Sequence, residues 1–163
     1  MKNLAKSFVY AFRGITYCIA HERNMRIHLC FTAFMFGFLT VHDFFEVSRT
    51  QLAVLIATCA LVLALECVNT AVEKAVDLET KEKNPLAAIA KDAAAGAVLV
   101  AAIGSVAVGL SVLYQPAAFS AMIEYYKENI PVLIALIVSV AAGVVFVFAG
   151  PHKIKEFLKN HIS

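Results

Sequence analysis

Charge is scarce in this chain: Asp, Glu, Lys and Arg make up 16% of its 163 residues, against roughly 25% in an ordinary soluble domain. The shortage excludes a disordered chain, which combines low hydrophobicity with high net charge. Glycine is scarce too. There are seven, and none falls in a G-x-x-x-x-G-K-[ST] loop or a G-x-G-x-x-G turn, so the common glycine-rich phosphate cradles are missing. The four cysteines (Cys18, Cys30, Cys59 and Cys67) include no C-x-x-C pair. A disulfide scaffold or thiol redox site is therefore set aside in favour of packing within apolar helices. There is no repeat and no low-complexity linker.

Apolar residues are abundant, at 61% of the chain, with a mean hydropathy of +0.77. A fold this small has too much surface to hide that much apolar area from water. The chain is expected to be an all-α integral membrane protein.

A span needs about 20 mostly apolar residues to cross roughly 30 Å of hydrocarbon. Four stretches qualify, at about 27–47, 51–78, 91–114 and 130–149. The first has as its centre the charge-free run Ile27 to Val41, which is short and borrows a turn from each flank. The second is apolar from Leu52 to Leu65 and then carries polar groups. The third, from Ala93 to Tyr114, is charge-free and rich in Ala and Gly; the fourth is rich in Val and Ile and stops at Gly150-Pro151, a helix terminator. A short polar outer loop is expected between the third and fourth.

Ahead of the first span, Leu4, Phe8, Ala11, Phe12 and Ile15 recur at helical spacing. They predict an amphipathic surface helix over about 3–24. Arg13, Arg23 and Arg26 interrupt what a cleavable signal peptide would need as its apolar core. Four spans put both termini on one side. That side collects twelve of the fourteen Lys and Arg residues and leaves only Arg49 and Lys127 opposite. By the positive-inside rule the termini are cytoplasmic, at the plasma membrane.

Ionisable groups at membrane depth are costly and therefore candidates for function. Along the second span, Glu66, Glu73 and Asp77 fall within about 40° of one another, with Asn69 about 60° to one side. They form a carboxylate stripe roughly 16 Å long, running from inside the bilayer to the cytoplasmic surface. Lys91-Asp92 opens the third span, and His21-Glu22-Arg23-Asn24 precedes the first. Plainer roles also suit some of these groups. Lys91 and Asp92 serve equally as span-end anchors, Glu22 beside Arg23 and Arg26 suits a surface ion pair, and His28 and His42 suit the membrane interface. Glu66 resists such an explanation, because an unpaired buried carboxylate costs several kcal/mol. Carboxylates for magnesium, cations for phosphate and one deeper carboxylate together suit phosphoryl transfer to a lipid head group.

The pattern Glu66-x-x-Asn69-x-x-x-Glu73-x-x-x-Asp77, followed by Ala90-Lys91-Asp92 and Ala95-Gly96-Ala97-Val98-Leu99, resembles the prokaryotic diacylglycerol kinase family. Phe12-Arg13-Gly14 and Glu22-Arg23-Asn24-x-Arg26-Ile27-His28 resemble its Gram-positive branch, many of whose members are undecaprenol kinases. The resemblance covers about residues 5–114. It implies a homotrimer with active sites shared between subunits, each subunit having a surface helix and three spans, and an ATP-dependent transfer to a lipid hydroxyl. By motif, Glu66 matches the general base, and Asn69 supports it or the substrate. Glu22 and Glu73 match magnesium-binding carboxylates that also meet ATP. Asp77, Lys91 and Asp92 match nucleotide and phosphate contacts, as do Tyr10 and the loop Glu82-Lys83-Asn84. Many relatives carry a histidine before the proline where this chain has Asn84-Pro85, which puts the adenine contact there in question.

The resemblance thus implies a lipid kinase domain over 1–114, with ATP and magnesium, acting on undecaprenol, or alternatively on diacylglycerol. Nucleic acid is not expected as a partner. A small ion- or proton-coupled transporter is the alternative from another class, opposed by the lack of polar groups between Leu52 and Leu65 beyond Thr58 and Cys59. Residues 115–163 depart from the family as an extension with the fourth span and a basic cytoplasmic tail of Lys153, Lys155 and Lys159. With one mid-span glycine, Gly143, and no ionisable group, that span is assigned to packing.

Overall fold

A computed structural model describes residues 2–80, 82 and 84–162. Six helices follow one another: α1 (Lys2–His21), α2 (Arg23–Val41), α3 (Arg49–Glu79), α4 (Pro85–Leu113), α5 (Pro116–Glu128) and α6 (Ile130–Ile162). No strand occurs among the described residues.

Local chemistry sets the helix ends. At α3, Ser48 Oγ accepts from the Gln51 amide at 3.3 Å and Gln51 Oε1 accepts from the Ser48 amide at 2.8 Å, a reciprocal capping box. At α4, Asn84 Oδ1 accepts from the Leu86 amide at 2.9 Å, and Pro85 supplies a first residue whose missing N–H costs nothing there. That cap starts α4 at Pro85, ahead of the expected start near 91. The expected outer loop after the third span is instead largely helix α5, opened by Pro116 in its first turn.

Among the described residues, three helices are long and apolar enough to cross a membrane: Arg49–Glu79, Pro85–Leu113 and Ile130–Phe157. Two of the four expected spans therefore keep their places as α3 and α4, and the extension supplies another. The first expected span is α2, which at 19 residues is long enough but carries too many polar groups at its start to be one of the three. Its first turn holds Arg23, Asn24 and Arg26, and the chain leaves the helix at His42 in an extended conformation. Residues 42–47 are not helical, so the flanking turn expected on that side is absent. Asp43 and Glu46 favour water there.

Few side chains are enclosed. On α4 only Val98 is buried, whereas Leu99, Val100, Ile103, Val106 and Leu110 are exposed. Apolar surface on this scale needs lipid, or another apolar surface, to cover it. α3 and α4 form a long antiparallel hairpin. α6 lies against α2 and α1 instead, with Gly143 facing Phe34 and Cys30. α1 turns Leu4, Phe8, Phe12 and Ile15 outward while burying Cys18 near its end, as a helix lying on a membrane surface would. All four cysteines are free.

The end opposite the polar stripe is closed by aromatic rings and one amide. His42, Phe44, Tyr125 and Tyr126 pack ring to ring, with Phe45 on Phe119. Burial pushes the Tyr126 phenol above its usual pKa, and Tyr125 adds to the shift. Gln115 Oε1 accepts from the Glu46 amide at 3.1 Å while its Nε2 donates to the Glu46 carbonyl at 3.0 Å.

A Cβ on Gly143 would stand 3.2 Å from Phe34 Cε2. Gly143→Leu is expected to push α6 from α2 and destabilise the protein by about 1–3 kcal/mol, with Gly143→Ala milder. Unfolding by denaturing detergent in mixed micelles measures both.

Candidate active site

The carboxylates expected along one face of α3 are there, and their exposure is graded. Glu66 is 2% exposed, Glu73 is half-buried and Asp77 is exposed. This is the order expected of a helix leaving a membrane. At 1.5 Å per residue α3 is about 46 Å long, some 16 Å more than the hydrocarbon is thick.

Glu66 sits where α2 meets α3. His28 Nε2 stands 3.3 Å from Glu66 Oε1, within ion-pair distance. The alignment does not make a hydrogen bond, and Oε1 has no hydrogen-bond partner. The neighbouring Thr70 hydroxyl donates to the Glu66 carbonyl at 2.9 Å, which secures the turn beneath it. Asn69 Nδ2 donates to Glu73 Oε1 at 3.0 Å, while Asn69 Oδ1 is buried and also unpartnered. Two buried acceptors one turn apart without a hydrogen bond among the described residues mark this stretch of α3 as the candidate site.

From the His28–Glu66 contact, Glu22 lies six residues back and Glu73 seven residues on. Each is about 9–11 Å away along the axis of α2 or α3, Glu22 as the residue that caps α2. Since α2 starts at the end where α3 finishes, the two carboxylates share a level. α1 reaches the same region, with Lys74 Nζ 6.0 Å from the Tyr17 ring centre.

A cleft of about 570 Å³ opens where α3 passes to α4, lined by Asp77, Thr80, Glu82, Asn84 and Lys91 among others. Lys91 Nζ donates to Asp77 Oδ1 at 2.5 Å, in a pair that is part-exposed. Four of the expected nucleotide residues thus line one cavity: Asp77, Glu82, Asn84 and Lys91. Asn84 is partly committed, since its Oδ1 caps α4. Lys83 lies outside the described residues. Asp92 is exposed on α4 and does not line the cleft. Tyr10 is exposed near the middle of α1, with the Arg13 guanidinium 5.8 Å from its ring centre, and the single chain does not bring it to the cleft.

On the other side of Glu66, an apolar groove of about 510 Å³ runs between α2, α3 and α4, from Ile27 and His28 past Met35, Val62 and Leu110 to Tyr114. His28 therefore belongs to both the groove and the carboxylate pair. Its assignment to the membrane interface misses this, because only the pairing of α2 with α3 brings it to Glu66. Arg26 also departs from the surface ion pair expected of it. It is buried and bonded to backbone carbonyls.

No group of three or more His, Cys, Asp or Glu side chains among the described residues is arranged to hold a metal. Magnesium needs fewer protein ligands when phosphates are present: one or two carboxylates, phosphate oxygens and water suffice. Glu22 and Glu73 are hard oxygen donors of that kind, and the Asn69 amide orients Glu73. The donor set fits a magnesium ion that arrives with a nucleotide.

A family model described as prokaryotic diacylglycerol kinase matches residues 9–113. A diacylglycerol kinase of Synechocystis sp. is 45% identical over 115 residues, which is 70% of this chain and 64% of that protein. An undecaprenol kinase of Bacillus subtilis is 41% identical over 107 residues, 64% of this chain and 83% of that protein. A diacylglycerol kinase of Haemophilus influenzae is 32% identical over 101 residues, 62% of this chain and 83% of that protein. This chain thus spans less than two thirds of the Synechocystis protein's length. No solved structure matches it. The family match ends with α4, so α5 and α6 lie beyond it. These matches do not support a transporter.

His28→Gln is expected to destabilise the protein by about 1–3 kcal/mol, because it strips the buried Glu66 carboxylate of the imidazole 3.3 Å from it. Adding Glu66→Gln should recover part of that loss. Detergent unfolding of both variants checks this; a His28→Gln protein as stable as the parent would show the contact to be incidental.

Proposed function

The chain belongs to the prokaryotic diacylglycerol kinase family, and we propose that it is an ATP- and magnesium-dependent lipid kinase. It transfers the γ-phosphoryl group to the hydroxyl of a membrane lipid alcohol. The observation that carries this reading is Glu66, a carboxylate buried on a membrane helix whose Oε1 has no hydrogen-bond partner. The apolar groove begins beside it at His28, and the cleft of Asp77 and Lys91 lies about three turns further along α3.

The lipid chain lies in the apolar groove and brings its hydroxyl to Glu66. The hydroxyl oxygen attacks the γ-phosphorus, Glu66 accepts its proton, and ADP leaves. A positioned base of this kind contributes typically 10²–10⁴-fold. The rest of the acceleration comes from holding the reactants in line and balancing charge on the phosphates. Lys91 supplies one such charge, held at the mouth of the cleft by Asp77. Magnesium bound by Glu22 and Glu73 would neutralise phosphate charge. Asn69 keeps Glu73 turned for that task.

Undecaprenol is the proposed acceptor, on the likeness of the Glu22-Arg23-Asn24 block to the Gram-positive branch. Diacylglycerol is the second reading, favoured by the 45% identity to the Synechocystis diacylglycerol kinase. The proposed assembly is a homotrimer with sites completed by a neighbouring subunit. A Cβ added at Gly96, Gly104 or Gly109 on α4 would meet nothing within 4 Å, and small residues of this kind let membrane helices approach closely. A neighbour would also give Tyr10 and Asp92 a place at the site. The proposed setting is the plasma membrane, with both termini and the cleft on the cytoplasmic side, where ATP is supplied.

Purified protein in nanodiscs should phosphorylate a lipid alcohol from ATP and magnesium, assayed side by side on undecaprenol and diacylglycerol. Glu66→Gln, at nearly constant volume, is expected to lower kcat at least about 100-fold. Full turnover in that variant would remove Glu66 as the base, and faster turnover on diacylglycerol would reassign the acceptor. Lys91→Met should raise the KM for MgATP about 10-fold, equivalent to about 1.4 kcal/mol, and leave the lipid KM unchanged. Its effect on stability should stay within about 1 kcal/mol, because the Asp77 pair is part-exposed.

A further inference from the structure

Arg26 is 6% exposed, and no carboxylate lies within ion-pair distance of it among the described residues. Its guanidinium donates instead to three backbone carbonyls. Nε reaches Val147 on α6 at 3.0 Å, and Nη1 reaches Ile19 and Ala20 on α1 at 3.1 and 3.2 Å.

Each acceptor is one that a helix end leaves open. The last four carbonyls of a helix have no intrahelical donor, and Ile19 and Ala20 belong to the last turn of α1. In α6 the break comes at Gly150, with φ 69° and ψ 165°. The residue that would donate to the Val147 carbonyl is four places on. It is Pro151, which has no N–H. One side chain thus satisfies the loose ends of two helices, and its charge sits at the negative ends of both dipoles. That accounts for a buried cation without a carboxylate.

The seat is shaped for this contact. A Cβ on Gly150 would stand 3.3 Å from Arg26 Cζ, and the positive φ disfavours any other residue there. The His21 and His152 rings, 5.3 Å apart, carry the contact to the end of α1. Arg26 also donates its own amide to the Glu22 carbonyl, at 3.4 Å. The Glu22 side chain makes no capping bond, so the place of this residue is set by the backbone of the α1–α2 corner.

We propose that α6 is a clamp on the nucleotide side of the site: its kink, seated on Arg26, fixes the α1–α2 corner and holds Glu22 for MgATP. Arg26 is then a positioning residue, and the helix beyond the family match is part of the kinase's working geometry. The role of Glu22 here rests on the kinase reading above. The clamp itself rests on the three carbonyl bonds and the Gly150 seat.

Two variants of the full chain in nanodiscs test it. Arg26→Lys keeps the charge but lacks the planar fork that serves three acceptors. Gly150→Ala leaves Arg26 in place and spoils its seat. Both are expected to speed hydrogen exchange across residues 17–26 at least 10-fold over the parent, with α3 exchange unchanged. Both should also raise the KM for MgATP at least fivefold and leave the KM for the lipid alcohol within twofold. Unchanged exchange over 17–26 in Gly150→Ala overturns the clamp. A parallel loss for both substrates, with faster exchange throughout, also overturns it, since α6 would then only support the fold. If the parent protein phosphorylates no lipid alcohol, the kinase reading fails, and the exchange measurement still decides the clamp.

Discussion

A carboxylate cannot remain buried among apolar helices without something to offset its lost hydration, and here the neighbour is His28. That requirement fixes how far α2 is slid along α3, because His28 and Glu66 face each other at only one register. The rest of the site takes its levels from this contact. Glu22 and Glu73 come to the same depth from opposite chain directions, and the apolar groove ends where the carboxylate begins. Change the register by one turn and the proposed base would lose the imidazole beside it, while Glu22 and Glu73 would no longer lie at one level.

The stripe on α3 passes in three steps from a buried residue, through a half-buried one, to an exposed one. Each step suits a different partner in the proposed reaction. The buried carboxylate meets a hydroxyl that never leaves the membrane. The half-buried one, steadied by Asn69, meets an ion that must be partly stripped of water. Asp77 in the open only steadies Lys91. A single helix longer than the bilayer is thick achieves this ordering without any loop to position the groups.

The α3 stripe is legible in the sequence, because helical period alone puts Glu66, Glu73 and Asp77 on one face. The amphipathic α1 and a break at Gly150-Pro151 are legible for the same local reasons, although the chain resumes as helix there and runs on to Ile162 instead of stopping. Other features depend on partners far along the chain. Arg26 and Val147 are 121 residues apart, and nothing near Arg26 distinguishes it from the other basic residues of that end. His28 reads as an interfacial histidine until α3 stands beside it. α5 reads as a loop because its polar residues draw attention away from Pro116, which begins a helix as readily as it ends one.

The two bonds between Gln115 and the Glu46 backbone make the molecule one-ended. With the Ser48 capping box and the packed rings around His42, they tie the backbone of that end together. The polar stripe keeps two buried oxygens, Glu66 Oε1 and Asn69 Oδ1, with no hydrogen-bond partner among the described residues. A solute arriving at the first end meets packed rings and a capped helix, and one arriving at the second meets carboxylate and amide oxygens free to accept. Sidedness of this kind needs no gate, because it is built into which end the chain's own hydrogen bonds complete.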